Sequence, residues 1–132
     1  MVAARILLSA VFIMAGINKL MDFSGSVAYT ASALPAPELM TVLAIIFELG
    51  GGLMILLGYH TAWAARALIL FTLVATFAFH FNFSDPMQAA MFMKNLAIVG
   101  GLILLCSHGA GTCSVDAKCC KKKETSVEKE GQ

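Results

Sequence analysis

The sequence predicts an all-α integral membrane protein, a four-transmembrane-helix bundle with a short interfacial helix in the first outer loop and a disordered C-terminal tail. Of its 132 residues, 59% are hydrophobic and 13% charged, whereas a soluble domain has roughly 45–50% and about 25%. Four apolar stretches, about residues 2–20, 39–57, 62–83 and 87–107, each approach the ~20 residues that a helix needs to cross hydrocarbon. We therefore expect one transmembrane domain over residues 1–112 and a polar tail over 113–132.

The first stretch has Arg5 and Lys19 close to its two ends. Long basic side chains at such positions can reach the membrane interface, so both are expected to snorkel. The stretch is also similar to a signal peptide, because Ala15 and Gly16 could form a cleavage site. Its basic region contains only Arg5, and three more apolar stretches follow, so we predict a retained helix.

The loop that follows, residues 21–38, is long enough to contain a helix of its own. Apolar residues recur in it at helical spacing, at Phe23, Val27, Ala31 and Leu34. Asp22 and Ser24 are residue types that cap the start of a helix. We expect a short helix here that lies in the membrane interface.

The remaining stretches begin and end at residues that favour helix boundaries. The second follows Pro35 and Pro37, which suit a loop and the first turn of a helix, and it stops at Gly58. Asp85 and Pro86 end the third. All are much longer than the ~10 residues of a transmembrane β-strand, so helices are predicted.

The distribution of basic residues predicts the orientation. Four spans place both termini and the loop at Tyr59 and His60 on one side. That side holds Arg5, Arg66, Lys118, Lys121, Lys122, Lys123 and Lys129, whereas the other holds only Lys19 and Lys94, both inside spans. By the positive-inside rule both termini are cytoplasmic. A basic end, rather than a basic face, does not indicate nucleic-acid binding.

Four ionisable residues lie inside the spans: Lys19, Glu48, His80 and Lys94. A charge at the centre of a membrane helix costs roughly 2.5–3.5 kcal/mol, so it is usually found where it has a partner or a function. Small residues share a helix face with these charges, such as Gly52 with Glu48 and Gly101 with Lys94. Because small residues mark close helix contacts in membranes, we expect the charges to face the bundle interior.

These residues predict a polar pocket that opens toward the outer side, formed by Glu48, Lys94, Asn95, His80 and Lys19. Lys94 is about seven residues and Glu48 about nine from the outer ends of their spans, so we expect them to pair. A structural ion pair that sets helix register explains Glu48 and Lys94 equally well. For His80 and Asn95 taken alone, an interfacial anchor and an interhelical hydrogen bond are the simpler explanations.

Several motifs together resemble a known family. Arg5 with residues 15–20 (AGINKL), Leu34–Pro35, residues 48–53 (ELGGGL), residues 94–96 (KNL), and Gly109–Ala110–Gly111 with Ser114 and Asp116 occur in one order along the chain. They resemble the DoxX family of small bacterial four-helix membrane proteins, over everything but the tail. The resemblance implies the bacterial cytoplasmic membrane, and subunits of thiosulfate:quinone oxidoreductases or other redox complexes.

Three functions are consistent with these features. The first is an oxidoreductase subunit in which the pocket receives a quinone; since no haem, flavin or iron–sulfur motif is visible, the electrons would come from a redox-protein partner. The second is a non-catalytic scaffold that recruits redox enzymes to the membrane. The third is a small-solute or proton transporter, which the lack of broken helices or inverted repeats disfavours. Homo-oligomerisation stays open.

The cysteines depart from this family pattern. Cys113, Cys119 and Cys120, with Cys106 at the membrane edge and His108 nearby, are weak candidate metal ligands. Their spacing matches neither the paired Cys-x-x-Cys zinc pattern nor a thioredoxin-like motif, so no metal site is predicted. On the cytoplasmic side thiols stay reduced. Residues 118–132 are polar and lack aromatics, which is typical of a flexible tail.

Overall fold

The computed structural model describes residues 1–130, and it contains six helices. In chain order these are α1 (Val2–Met21), α2 (Phe23–Ala31), α3 (Pro37–Leu57), α4 (Thr61–Phe79), α5 (Pro86–His108) and α6 (Val115–Glu130). Helices α1, α3, α4 and α5 contain 19 to 23 residues with mean hydropathy between 1.6 and 2.2, which is long and apolar enough to cross a membrane. The predicted four-helix membrane bundle is confirmed, although the third span is shorter than expected and ends at Phe79.

The outer surface of this bundle is apolar. Leu7, Leu70 and Leu104 are each more than 60% exposed in the isolated chain. A soluble domain rarely exposes large contiguous apolar patches, whereas lipid solvates them without cost. Lipid, rather than water, therefore surrounds these faces of the bundle.

The helices pack in the order α1–α3–α4–α5, and α1 also touches α5. Small residues permit the closest crossing, between α1 and α3. A methyl group added at Gly16 would lie 2.6 Å from Cγ of Leu49, and one added at Gly52 would lie 2.9 Å from Cγ1 of Ile13. The prediction that glycines mark helix contacts is confirmed at this crossing.

The apolar core occupies only one half of the bundle. Its buried cluster consists of Phe12, Ile55, Ala64, Ala65, Leu68, Leu102 and Leu105. Most of these residues lie near the end of the bundle where Arg5, Gly58 and Asp116 are found, which we call the Arg5 half. The opposite half, where α2, Lys19 and His80 lie, is called the α2 half, and it is packed less densely.

Helix α2 forms where the sequence predicts it. The carboxylate of Asp22 accepts a hydrogen bond from the backbone N–H of Gly25 at 3.1 Å, which caps the first turn. The hydroxyl of Thr41 on α3 donates to Thr30 Oγ1 at 3.0 Å, and Tyr29 stacks on Phe79 with ring centroids 4.9 Å apart. These contacts attach α2 to the end of the bundle.

The predicted disorder of the C-terminal tail is wrong for residues 115–130, which form α6. Ser114 Oγ accepts a hydrogen bond from the N–H of Ala117 at 3.1 Å, and Lys and Glu are good helix formers. The backbone N–H of Asp116 donates to the carbonyl of Gly58 at 2.9 Å, which attaches the helix to the bundle. The side chains of Cys120 and Lys129 lie outside the described part of the chain.

Candidate functional site

A cavity of about 1090 Å³ lies in the α2 half, and all five residues of the predicted pocket line it: Lys19, Glu48, His80, Lys94 and Asn95. The remaining wall is mostly apolar and includes the aromatic rings of Tyr29, Phe47, Phe71 and Phe79. The cavity therefore combines an apolar wall with a small set of charged and hydrogen-bonding groups, as ligand sites generally do.

Glu48 is paired with Lys19. The Lys19 ammonium lies 2.9 Å from both Oε1 and Oε2 of the carboxylate, and Glu48 is only 6% exposed. The expected Glu48–Lys94 pair is therefore wrong, as is the expectation that Lys19 snorkels. Lys19 follows Gly16 by one turn, so the close crossing of α1 and α3 brings its ammonium to Glu48.

Lys94 has no acidic partner in the part of the chain that the structure describes. Its ammonium lies 3.3 Å from Sδ of Met91, a thioether that accepts hydrogen bonds weakly and carries no charge. The side chain lines the cavity and is exposed. Within residues 1–130, no carboxylate therefore neutralises this ammonium.

His80 and Asn95 contribute hydrogen-bonding groups to the cavity wall, and both are half-buried. His80 follows the last residue of α4, and its Nδ1 lies 2.7 Å from Oε1 of Gln88. When Nδ1–H donates to this amide oxygen, the neutral imidazole keeps Nε2 as an acceptor. Asn95 adds an amide donor beside Lys94 on α5.

Thr72 is a cavity residue that the sequence places in a polar stripe with Thr76 and His80 but not in the predicted pocket. It is 5% exposed, it lines the cavity, and its hydroxyl has no hydrogen-bond partner within residues 1–130. The sequence signal is its position two turns before His80, on the same helix face as Thr76. Both threonines are buried.

A second cluster of polar groups lies at the other end of the bundle, around Arg5. Its guanidinium donates to four carbonyls, of Ile55 at 3.0 Å, Leu56 at 2.7 Å, Ala110 at 2.9 Å and Cys113 at 2.8 Å. Arg5 is 4% exposed, so the expectation that it snorkels is wrong. Two of the carbonyls belong to the last turn of α3, where the helix dipole is negative and stabilises a cation.

Next to Arg5, the backbone of Gly58 at the end of α3 packs closely against the side chain of Ser114. Gly58 has φ +69°, and a methyl group added to it would lie 2.5 Å from Cβ of Ser114. Only glycine fits both the backbone conformation and the space. The segment after α5 thereby reaches the end of α3, where Arg5 binds it.

Asp116 joins the tail to the start of α4. Its carboxylate accepts hydrogen bonds from the backbone N–H groups of His60 at 2.8 Å and Thr61 at 3.0 Å. Partial burial acts to raise the pKa of Asp116, but the hydrogen bonds from Thr61 and His60 together hold that pKa below its usual range. The residue acts as an N-terminal cap supplied from a distant part of the chain.

The cysteines do not form a metal centre with other residues that the structure describes. No group of three or more His, Cys, Asp or Glu side chains comes together there. Cys113 and Cys119 are exposed free thiols, while Nδ1 of His108 lies 3.0 Å from the carbonyl of Leu104 in its own helix. The side chain of Cys120 lies outside the described residues.

Comparisons with known proteins agree with this architecture. The family model described as DoxX matches residues 1–81, which include Lys19, Glu48, Thr72 and His80. The inner membrane protein YqjF of Escherichia coli (strain K12) is 43% identical over 119 residues, covering 90% of this chain and 91% of that protein. The inner membrane protein YphA of the same organism is 35% identical over 121 residues, covering 87% and 86%. No solved structure matches.

Proposed function

The chain belongs to the DoxX family, and we propose that it acts there as a quinone-binding subunit of a membrane redox complex. The observation that supports this most is the cavity of the α2 half. There an apolar wall with several aromatic rings adjoins the partly buried Lys19–Glu48 ion pair and the ammonium of Lys94, which has no carboxylate partner among the described residues. It lies within the membrane-spanning part of the chain, where lipid-soluble quinones are found.

A quinone headgroup fits the chemistry of this wall. It is a flat, largely apolar ring that presents two carbonyl oxygens as acceptors, so it needs aromatic or aliphatic contacts and a few hydrogen-bond donors. Phe47 and Phe71, which stack with centroids 5.9 Å apart, supply ring contacts. The ammonium of Lys94 and the amide of Asn95 supply adjacent donors from α5.

Reduction of a quinone to the quinol consumes two electrons and two protons. In this proposal the electrons come from a redox centre on a partner protein, and the chain supplies groups that can carry protons to the oxygens. Glu48 and His80 bring a carboxylate and an imidazole to the cavity wall, the two kinds of side chain that most often accept and donate protons in enzymes.

The same proposal places the protein in the bacterial cytoplasmic membrane with its Arg5 half toward the cytoplasm. Two curated relatives are named as inner membrane proteins. The basic residues outside the membrane concentrate near the Arg5 half, where α6 exposes Lys118, Lys121, Lys122 and Lys123. This distribution supports a cytoplasmic location of both termini.

A non-catalytic scaffold is the second candidate, and α6 is the observation that favours it. The helix is fastened to the bundle by Asp116 and exposes a row of lysines that an acidic partner surface could bind. In this case the cavity would have no ligand, and loss of α6 would abolish function.

Binding of decylubiquinone, a quinone with a short tail, to the full chain in nanodiscs tests the proposal. We expect saturable binding with one site per chain. Lys94→Met and Asn95→Leu should each weaken it several-fold while leaving the yield of folded protein unchanged, because neither removes a paired charge. Lys118→Met on α6 is the matched control and should bind as the wild type does. Absence of saturable binding would remove the quinone proposal and leave the scaffold.

A further inference from the structure

The hydroxyl of Thr72 is a buried donor that the fold leaves unused. In a helix a threonine hydroxyl ordinarily donates to a carbonyl three or four residues earlier. Thr76 does so toward the carbonyl of Thr72 at 2.6 Å, and Thr30 does so toward Ser26 at 2.9 Å. Thr72, although only 5% exposed, makes no such bond.

An unpaired buried hydroxyl costs free energy, and a valine of the same shape would avoid that cost. Packing alone therefore does not explain why a threonine, rather than a valine, occupies position 72. A buried polar group without a partner calls for an explanation, and a ligand that completes the hydrogen bond is one.

The position of Thr72 indicates what kind of ligand could accept a hydrogen bond from its hydroxyl. One turn earlier on α4, Leu68 is fully buried in the apolar core; two turns later, His80 reaches the cavity wall. Thr72 thus lies between the apolar core and the open space, and it lines that space itself. A ligand that enters the cavity from the His80 end as far as Thr72 meets this hydroxyl.

We propose that the Thr72 hydroxyl donates a hydrogen bond to one carbonyl oxygen of a quinone headgroup bound in the cavity at the level of Thr72. This inference rests on the proposed function. It adds the position of the headgroup within the cavity and names Thr72 as the residue that selects for a carbonyl at that position. A neutral donor suits a neutral carbonyl, whereas the charged Lys94 and the amide of Asn95, on α5, are donors for the second oxygen. A ring that lacks an acceptor at this depth binds more weakly.

The test compares three variants of the full chain in nanodiscs, with decylubiquinone as the probe. Thr72→Val removes the hydroxyl and keeps the shape, so we expect quinone binding to weaken by about three- to tenfold, the effect of one hydrogen bond. Thr72→Ser keeps the hydroxyl and should bind nearly as the wild type does. Thr61→Val is the matched control, because Thr61 is buried on the same helix but does not line the cavity.

A second readout reports on the carbonyl directly. In infrared spectra of the bound quinone, one C=O stretching band should lie at lower frequency than in the free quinone. It should return toward the free value in Thr72→Val but not in Thr72→Ser or Thr61→Val. If Thr72→Val is poorly inserted into the membrane, Thr72→Ala removes the same hydroxyl and gives the same comparison.

The outcomes separate this inference from the proposed function. Binding by Thr72→Val as tight as that of the wild type, with the C=O band still at the lower frequency, would overturn the role of Thr72 and leave the quinone site standing. Equal losses in Thr72→Ser or in Thr61→Val would also overturn it, because packing rather than the hydroxyl would then be responsible. If the wild type shows no saturable binding, both the proposed function and this inference fail.

Discussion

Lys19 donates to both carboxylate oxygens of Glu48, at 2.9 Å each, and this bidentate pair joins α1 to α3 beside the cavity. The two partners differ in exposure, since the side chain of Lys19 is 31% exposed and that of Glu48 only 8%. Removing one partner of a buried pair leaves the other charge uncompensated, and the loss depends on how well that charge can reach water.

Lys19→Met should therefore destabilise the protein more than Glu48→Gln. It leaves a buried carboxylate without a counter-ion, for which the typical loss is about 3–5 kcal/mol, whereas the ammonium left by Glu48→Gln can still reach solvent. The double variant should recover much of the loss. Thermal unfolding in detergent, followed by size-exclusion chromatography, measures the folded fraction.

Lys94→Met is the matched control for the ion pair. Because Lys94 has no carboxylate within reach among the described residues, its replacement should leave the unfolding temperature near that of the wild type. Equal destabilisation by Lys94→Met and Lys19→Met would contradict the pairing.

Arg5→Lys should destabilise the bundle even though the positive charge is kept. A lysine ammonium has three donors on a flexible stem and cannot bind the four carbonyls that the planar guanidinium reaches. Leaving buried carbonyls unpaired costs about 1–3 kcal/mol for each group. The unfolding temperature of the purified protein is the measurement.

The control for Arg5 is Arg66→Lys. Arg66 is exposed and lies 5.2 Å from the ring of Trp63, and an exposed contact of this kind contributes about 0.5–1 kcal/mol. A larger loss at Arg66 than at Arg5 would mean that the buried guanidinium does not hold the ends of α3 and α5 together.

Asp116→Ala should loosen the start of α4. Loss of an N-terminal cap typically costs about 1 kcal/mol, so the backbone amides of His60 and Thr61 should exchange hydrogen several-fold faster. Asp85→Ala is the control, since Asp85 caps α5 through the N–H of Met87 at 2.9 Å and should leave the α4 amides unaffected. Unchanged exchange at His60 and Thr61 in Asp116→Ala would contradict the cap.

The same contact predicts a pH dependence. The pKa of Asp116 is lower in the folded chain than in the unfolded chain, so its contribution is complete above the ordinary pKa of an aspartate. That contribution is lost as pH falls through the lowered value, when the carboxylate becomes protonated and stops accepting both bonds. Exchange at His60 and Thr61 should therefore accelerate on acidification in the wild type and be less pH-sensitive in Asp116→Asn, after correction for intrinsic rates.

A reporter fused after Gln132 should be active in the cytoplasm, and one inserted near Ser32 should be active on the outside. The expectation follows from the basic residues that gather near the Arg5 half. Alkaline phosphatase and fluorescent-protein fusions report the two sides independently. The opposite pattern would invert the orientation and place the thiols of Cys113 and Cys119 in an oxidising compartment.

Local features of the sequence were sufficient for most of the fold. Hydropathy over 20 residues defines a membrane span without reference to its neighbours, so the four spans follow from composition alone. Asp22, which caps α2, also acts within the first turn of its own helix. These predictions are confirmed because the physical cause of each lies in contiguous residues.

The partners of the charges were decided only by the tertiary structure. A depth calculation along each span placed Lys94 level with Glu48, but pairing also depends on the rotation and separation of the helices. Close packing at Gly16 brings Lys19 to the carboxylate instead. A single sequence contains the helix faces but not the angles at which they meet.

The ends of the bundle show the same limit. Considered with its sequence neighbours alone, Arg5 is a basic residue at the end of a span, which is typical of snorkelling. Residues 115–130 are polar and charged, which is typical of a flexible tail. In the folded chain carbonyls from residues 55, 56, 110 and 113 surround Arg5, and amides of α4 bind Asp116. The sequence by itself determined the helices and the faces they present. Contacts between residues 29 to 108 positions apart decided which charges are buried, because such contacts exist only once the helices have assembled.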